Sequence, residues 1–171
     1  MPEQNNKTIV TNTSPLIGLI AAWGGLEPLK DLYQSVIVPK EVSEELLHGG
    51  PSHFGVEEFE AASFLDIQKQ PTKISRYLSN SLDRGEAAVI QLALDKGIET
   101  VCVDESIGRR VARMNGLALT GSVGILARYQ QELQPDFSLV QAVERMRSRG
   151  IRLGENIIRF AALQDERLKS K

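Results

Sequence analysis

Oxygen-bearing side chains stand at four places close to short apolar runs or a helix start in this 171-residue chain. Asn12 comes after Thr8–Thr11, Glu44 and Glu45 lie on the segment after Val36–Val38, Glu86 stands near Asp83, and Asp104 and Glu105 follow Thr100–Val103. If those runs are parallel strands, ligands bind beyond their carboxyl ends, and Asn12, Glu45, Glu86 and Asp104 meet at one edge. Gathered carboxylates repel one another. A hard divalent cation such as Mg²⁺ or Mn²⁺, which prefers oxygen ligands, relieves that repulsion. Each residue also has a plain structural role. Glu86 suits the dipole of a helix start, Asn12 and Asp104 suit helix caps, and Glu44 with Glu45 suits a solvated helix face. What points to a metal site is their joint placement at strand ends.

The elements that must position these residues follow from two alternating periods. Thr8–Thr11, Val36–Val38 and Thr100–Val103 are β-branched and apolar without alternation, the pattern of buried parallel strands. Phe64–Ile67 reads as an edge strand and Leu117–Leu119 as another short one. Helical patterning covers Pro15–Ala22, the segment from Pro39 to Gly49, Asp83–Lys96, Ser106–Asn115, Ser122–Leu133, Ser138–Arg149 and about Glu155–Leu168. Pro15 near one start and Gly97 after another helix set the expected limits. Strands alternating with helices predict an α/β fold, a three-layer α/β/α sandwich around a central parallel sheet. The length suits a single domain over residues 1–171, with a core at about 7–160 and frayed termini.

Composition excludes several classes. A hydrophobic content of 42% and a charged content of 25% do not suit a disordered chain. No apolar run approaches a membrane span, and the start lacks the basic-then-apolar pattern of a secretory signal, so a cytoplasmic location is expected. Cys102 alone rules out an internal disulfide and a cysteine-based zinc site. Phosphate-loop and dinucleotide glycine motifs are missing, and His48 and His53 lack zinc-ligand spacing. The net charge of −2 hides a split, from −8 over residues 1–105 to +6 over residues 106–171, where ten of twelve cations are Arg.

The run Ile9–Ile17 (IVTNTSPLI) resembles the opening of PIN-domain nucleases. The similarity continues through Val38–Leu46 (VPKEVSEEL), Leu82–Ala88 (LDRGEAA), Val103–Ala112 (VDESIGRRVA) and Thr120–Leu126 (TGSVGIL). Any one of these is weak, but five in order resemble a VapC-like branch over about residues 7–160. The resemblance implies a metal-dependent ribonuclease holding Mg²⁺ or Mn²⁺ among acidic residues that map to Asn12, Glu45, Glu86 and Asp104. Asn12, Glu86 and Asp104 would touch metal, and Glu45 would do so or orient water. Ser14 resembles a supporting hydroxyl, Glu105 an auxiliary acid, and Glu44 ranks behind Glu45 because the family's acid directly precedes the Leu.

Asn12 departs from the family's usual Asp. An amide oxygen can ligate a cation but brings no charge. The expected function is therefore an endoribonuclease hydrolysing RNA phosphodiester bonds, in the role of the toxin of a toxin–antitoxin pair. Its expected partners are RNA as substrate, a small antitoxin, and a second copy of the chain in a homodimer formed through the helices after Pro15 and Gly85. The alternative is a catalytically weakened RNA-binding or protein-interaction module. A phosphatase or receiver domain is disfavoured because no aspartate ends the first strand. Arg109, Arg110 and Arg113 are expected to contact nucleic acid, since guanidinium groups bind phosphate bidentately. Arg145, Arg147, Arg149 and Arg152 form a second cluster that suits either RNA or a solvated face. With 5 Phe, 3 Tyr and 1 Trp, base stacking is not expected to dominate.

Overall fold

A computed structural model describes residues 8–50 and 52–170. Five strands, β1 (Thr8–Thr11), β2 (Ser35–Val38), β3 (Asp66–Ile67), β4 (Thr100–Cys102) and β5 (Ala118–Thr120), form one sheet in the order β3-β2-β1-β4-β5. Every pairing is parallel; Val10 lies opposite Ile37 on one side and Val101 on the other. The continuous apolar runs are explained by burial: Ile9, Val10, Val38, Val101, Cys102 and Val103 are all buried. The edge strand shrinks to two exposed residues, Asp66 and Ile67.

Ten helices surround the sheet among the described residues: α1 (Thr13–Trp23), α2 (Leu29–Leu32), α3 (Lys40–His48), α4 (Val56–Ala61), α5 (Arg76–Ser81), α6 (Arg84–Lys96), α7 (Ser106–Met114), α8 (Ser122–Glu132), α9 (Leu139–Ser148) and α10 (Glu155–Lys169). The result is an α/β/α sandwich on an all-parallel sheet. Helix α6 packs on β1 and β4 and against α3, α5 and α7, whereas α1 packs against α8 and α9, which α10 also covers. Helices α2, α4 and α5 have no counterpart in the sequence reading. At four to six residues they are too short for a 3.6-residue period to show.

The strand order reverses at β1, which has β2 on one side and β4 on the other. The carboxyl ends of β1 and β4 therefore flank a switch-point crevice. Asn12 leaves β1 with its amide donating to the Cys102 carbonyl at 3.0 Å, so the Asn12 turn is tied to the turn carrying Asp104 and Glu105.

Helices α1 and α6 were expected to supply apolar surface for a dimer. Pro15, Leu16, Leu19 and Ile20 of α1, and Ala87–Ile90 and Ala93 of α6, are buried within the protomer, while Leu94 of α6 is 40% exposed. The C-terminal helix expected at about Glu155–Leu168 is α10, which runs to Lys169, and its Ala161 is 1% exposed. The expected fraying of residues 1–6 and of Lys171 lies outside the described residues.

Candidate metal centre

The site is organised by the start of α6. Asp83 is its N-cap, with extended backbone, and Asp83 Oδ1 accepts the Glu86 amide at 2.8 Å. Gly85 lies between them and is buried. A Cβ at position 85 would stand 2.8 Å from Glu45 Oε2, 3.1 Å from Asn12 Oδ1 and 3.7 Å from Asp83 Oδ1. Oxygens from the end of β1, from α3 and from the α6 cap thus close on one point, and only a residue without a side chain leaves them room.

The opposite wall is α7. Glu86 is 4% exposed and turns toward Gly108, where a Cβ would meet the Glu86 carboxyl carbon at 3.3 Å. Glu105 is the N-cap residue of α7. One oxygen each from Asp83, Glu86 and Glu105 lie within 4.8 Å of one another. Glu86 Oε1, Asn12 Oδ1 and Thr13 Oγ1 are buried without a hydrogen-bond partner. The orphaned oxygens of the 5%-exposed Asn12 and of Glu86 matter most, since a buried acceptor left unpaired is costly.

Electrostatics agree with the geometry. Burial, followed by the charges of Asp83 and Glu105, pushes the Glu86 carboxyl up to about 7. Burial also raises Glu45; the neighbouring Thr13 hydroxyl opposes that rise, and Asp83 and Glu105 add to it. Among the described residues, no Lys or Arg forms an ion pair with Glu45, Asp83, Glu86 or Glu105. Hard oxygen donors, uncompensated negative charge and unpartnered buried acceptors together fit a divalent cation.

Of the residues expected at the site, Asn12, Glu45 and Glu86 converge, and Glu105 joins them rather than standing aside. Asp104 is engaged elsewhere: its Oδ1 accepts the Ser122 amide and its Oδ2 the Ser122 hydroxyl, both at 2.8 Å, so it anchors the start of α8. Glu44 is exposed and turns to Lys40 at 3.7 Å and Arg84 at 3.6 Å. Ser14 is exposed and lines a neighbouring groove. Arg110 and Arg113 are exposed on α7. Arg109 is half-buried and donates from one amino group to the carbonyls of Val103 at 2.8 Å and Thr120 at 3.3 Å, joining the ends of β4 and β5. In the second arginine cluster, Arg145 binds the Ala22 carbonyl, Arg147 pairs with Glu144 and Arg149 covers the Phe54 ring. Asp83 carries no sequence signal of its own. Its spacing three residues before Glu86 reads as ordinary helix-cap grammar, and only the approach of Glu105 reveals more.

Beside the acids runs a groove of about 970 Å³. Ile17, Leu153, Ile157 and Phe160 give it apolar walls, and Asp104, Glu105, Arg109 and Arg152 give it a charged rim. A family model described as a PIN domain matches residues 8–165. No curated protein and no solved structure matches the chain.

Proposed function

This chain belongs to the PIN-domain family, generally nucleases, and from that premise we propose that it is a metal-dependent endoribonuclease of the VapC-like branch. The observation that carries this reading is the meeting of Asn12, Glu45 and Asp83 around Gly85, and of Asp83 with Glu86 and Glu105 within 4.8 Å, with no Lys or Arg among the described residues paired to these acids. Glu86, Glu105 and the amide oxygen of Asn12 would hold Mg²⁺ or Mn²⁺. Such a cation polarises a phosphate and makes a bound water more acidic. Glu45, with its raised proton affinity, is placed to orient the attacking water and take its proton as the new O–P bond forms and the phosphodiester O–P bond breaks. Asp104, held by Ser122, fixes the turn that presents Glu105. Arg110 and Arg113 guide the RNA backbone.

A toxin role with a small antitoxin, cytoplasmic residence and a homodimer belong to the same reading. Light scattering at micromolar concentration checks the dimer.

The neutral Asn12 favours one second reading, an RNA-binding or interaction module with weakened catalysis. A cleavage assay separates the two. Wild-type protein should cut single-stranded RNA in Mn²⁺, and Glu86→Gln should lower the rate by at least about 100-fold, a loss of roughly 3 kcal/mol in transition-state stabilisation. RNA binding without cleavage at any Mn²⁺ concentration would establish the second reading instead.

A further inference from the structure

Asn12 leaves the family's usual first ligand without its charge, and the fold offers a replacement nearby. Asp83 is far from Asn12 along the chain but close to it in space: the Gly85 Cβ position lies 3.1 Å from Asn12 Oδ1 and 3.7 Å from Asp83 Oδ1. Asp83 uses Oδ1 to cap α6, accepting the Glu86 amide at 2.8 Å. A carboxylate has a second oxygen and further lone pairs available. Asp83 is exposed, makes no ion pair among the described residues, and contributes an oxygen to the group with Glu86 and Glu105 that lies within 4.8 Å.

We propose that Asp83 is a metal-ligating carboxylate that supplies the negative charge missing at Asn12, so that Asp83, Glu86 and Glu105, with the neutral oxygen of Asn12, form the binding shell. The unpartnered buried Asn12 Oδ1 independently points to a ligand at this place, because an amide oxygen 5% exposed and without a donor requires a partner that the described residues do not provide. Asp83 thus has two roles, one for each part of its carboxylate: it starts α6, and it carries the fourth acid's share of the charge. This assignment rests on the proposed metal-dependent reading and specifies its ligand set.

Titration calorimetry with Mn²⁺ tests it without reference to activity. Asn caps helices as well as Asp does, so Asp83→Asn keeps the α6 cap while it removes the charge and turns the second carboxylate oxygen into an amide nitrogen. Wild type should bind Mn²⁺, Glu86→Gln should bind at least about 100-fold more weakly, and Asp83→Asn about 10-fold more weakly. Returning the charge to its usual place, in the double variant Asn12→Asp/Asp83→Asn, should restore affinity to within about 3-fold of wild type. Circular dichroism melts check that each variant is folded. If Asp83→Asn binds like wild type while Glu86→Gln does not, Asp83 is a cap alone: the inference fails and the metal site stands. If Asp83→Asn weakens binding and the double variant does not recover it, charge replacement is overturned. If folded wild-type protein binds no Mn²⁺, both the inference and the metal-dependent reading fall.

Discussion

Glu86 shows how one residue's surroundings convert a commonplace carboxyl into a reporter of the site. Its ordinary value is 4.5, and burial with the charges of Asp83 and Glu105 raises it to about 7. The folded protein therefore holds this proton more tightly than the unfolded chain, and the ionised form is the costly one. Without metal, Glu86 leaves stability unaffected below about pH 4.5 and lowers it progressively up to about pH 7, by on the order of 2 kcal/mol after allowance for solvent screening. Thermal melts in a chelator between pH 5 and 8 should show wild type losing stability relative to Glu86→Gln across that window. Adding Mg²⁺ should reverse the trend, since a cation favours the ionised form. Parallel pH curves for the two proteins would contradict the assigned environment.

Among the elements, α10 is attached by an apolar face and by one carboxylate that gathers several donors. Asp165 Oδ1 accepts the Gln130 side-chain amide at 2.6 Å and the Leu139 amide at 2.9 Å, while Oδ2 accepts the Ser138 hydroxyl at 2.9 Å and the Val140 amide at 3.1 Å. One side chain so joins α8, the start of α9 and α10. Burial by itself would raise Asp165, but the Leu139, Val140, Ser138 and Gln130 donors together outweigh it and hold the group below its ordinary 3.8. Its stabilisation is present above that value and is lost as pH falls further. Asp165→Ala should cost roughly 2–3 kcal/mol, because several donors lose a charged acceptor, and lower the melting temperature by about 5–10 °C. A melting temperature unchanged within about 1 °C would mean that α10 is held by its apolar face alone.

For the molecule as a whole, the opposed charges of the two chain halves acquire a spatial meaning. The acidic centre draws on Asn12, Glu45, Asp83 and Glu86 from the N-terminal part and ends at Glu105, where the basic part begins. Helix α7 starts at the acids and carries Arg110 and Arg113 on its exposed surface. An RNA strand could cross from arginines to metal over one helix. In the cleavage-impaired Glu86→Gln background, Arg110→Ser with Arg113→Ser should weaken RNA binding at low salt. It should also reduce the slope of log affinity against log salt by about 1.4, since each phosphate that a single strand no longer has neutralised accounts for about 0.7. Weaker binding with the slope unchanged would assign these residues to another surface.

The sequence by itself determined the elements whose signals are local. Apolar β-branched runs marked the strands, Pro15 and the Asp83-to-Gly97 pattern marked α1 and α6, and the five ordered motifs marked the family. Asn12 and Glu45 were legible because a parallel sheet sends whatever follows its strands to one edge, and Glu86 because it stands in the first turn of a strongly patterned helix. Only the tertiary structure decided what each neighbouring acid does with its oxygens. Asp104 and Glu105 are adjacent, yet one turns to Ser122 and the other to Glu86. Glu44 and Glu45 are adjacent too, and a step of one residue on a helix, about 100°, sends one toward Arg84 and the other toward Asn12. The role proposed for Asp83 was hidden because a helix cap and a metal ligand call for the same residue type at the same place. Side-chain direction and partner choice depend on residues tens of positions away, such as Ser122 for Asp104, and composition and period carry no record of them.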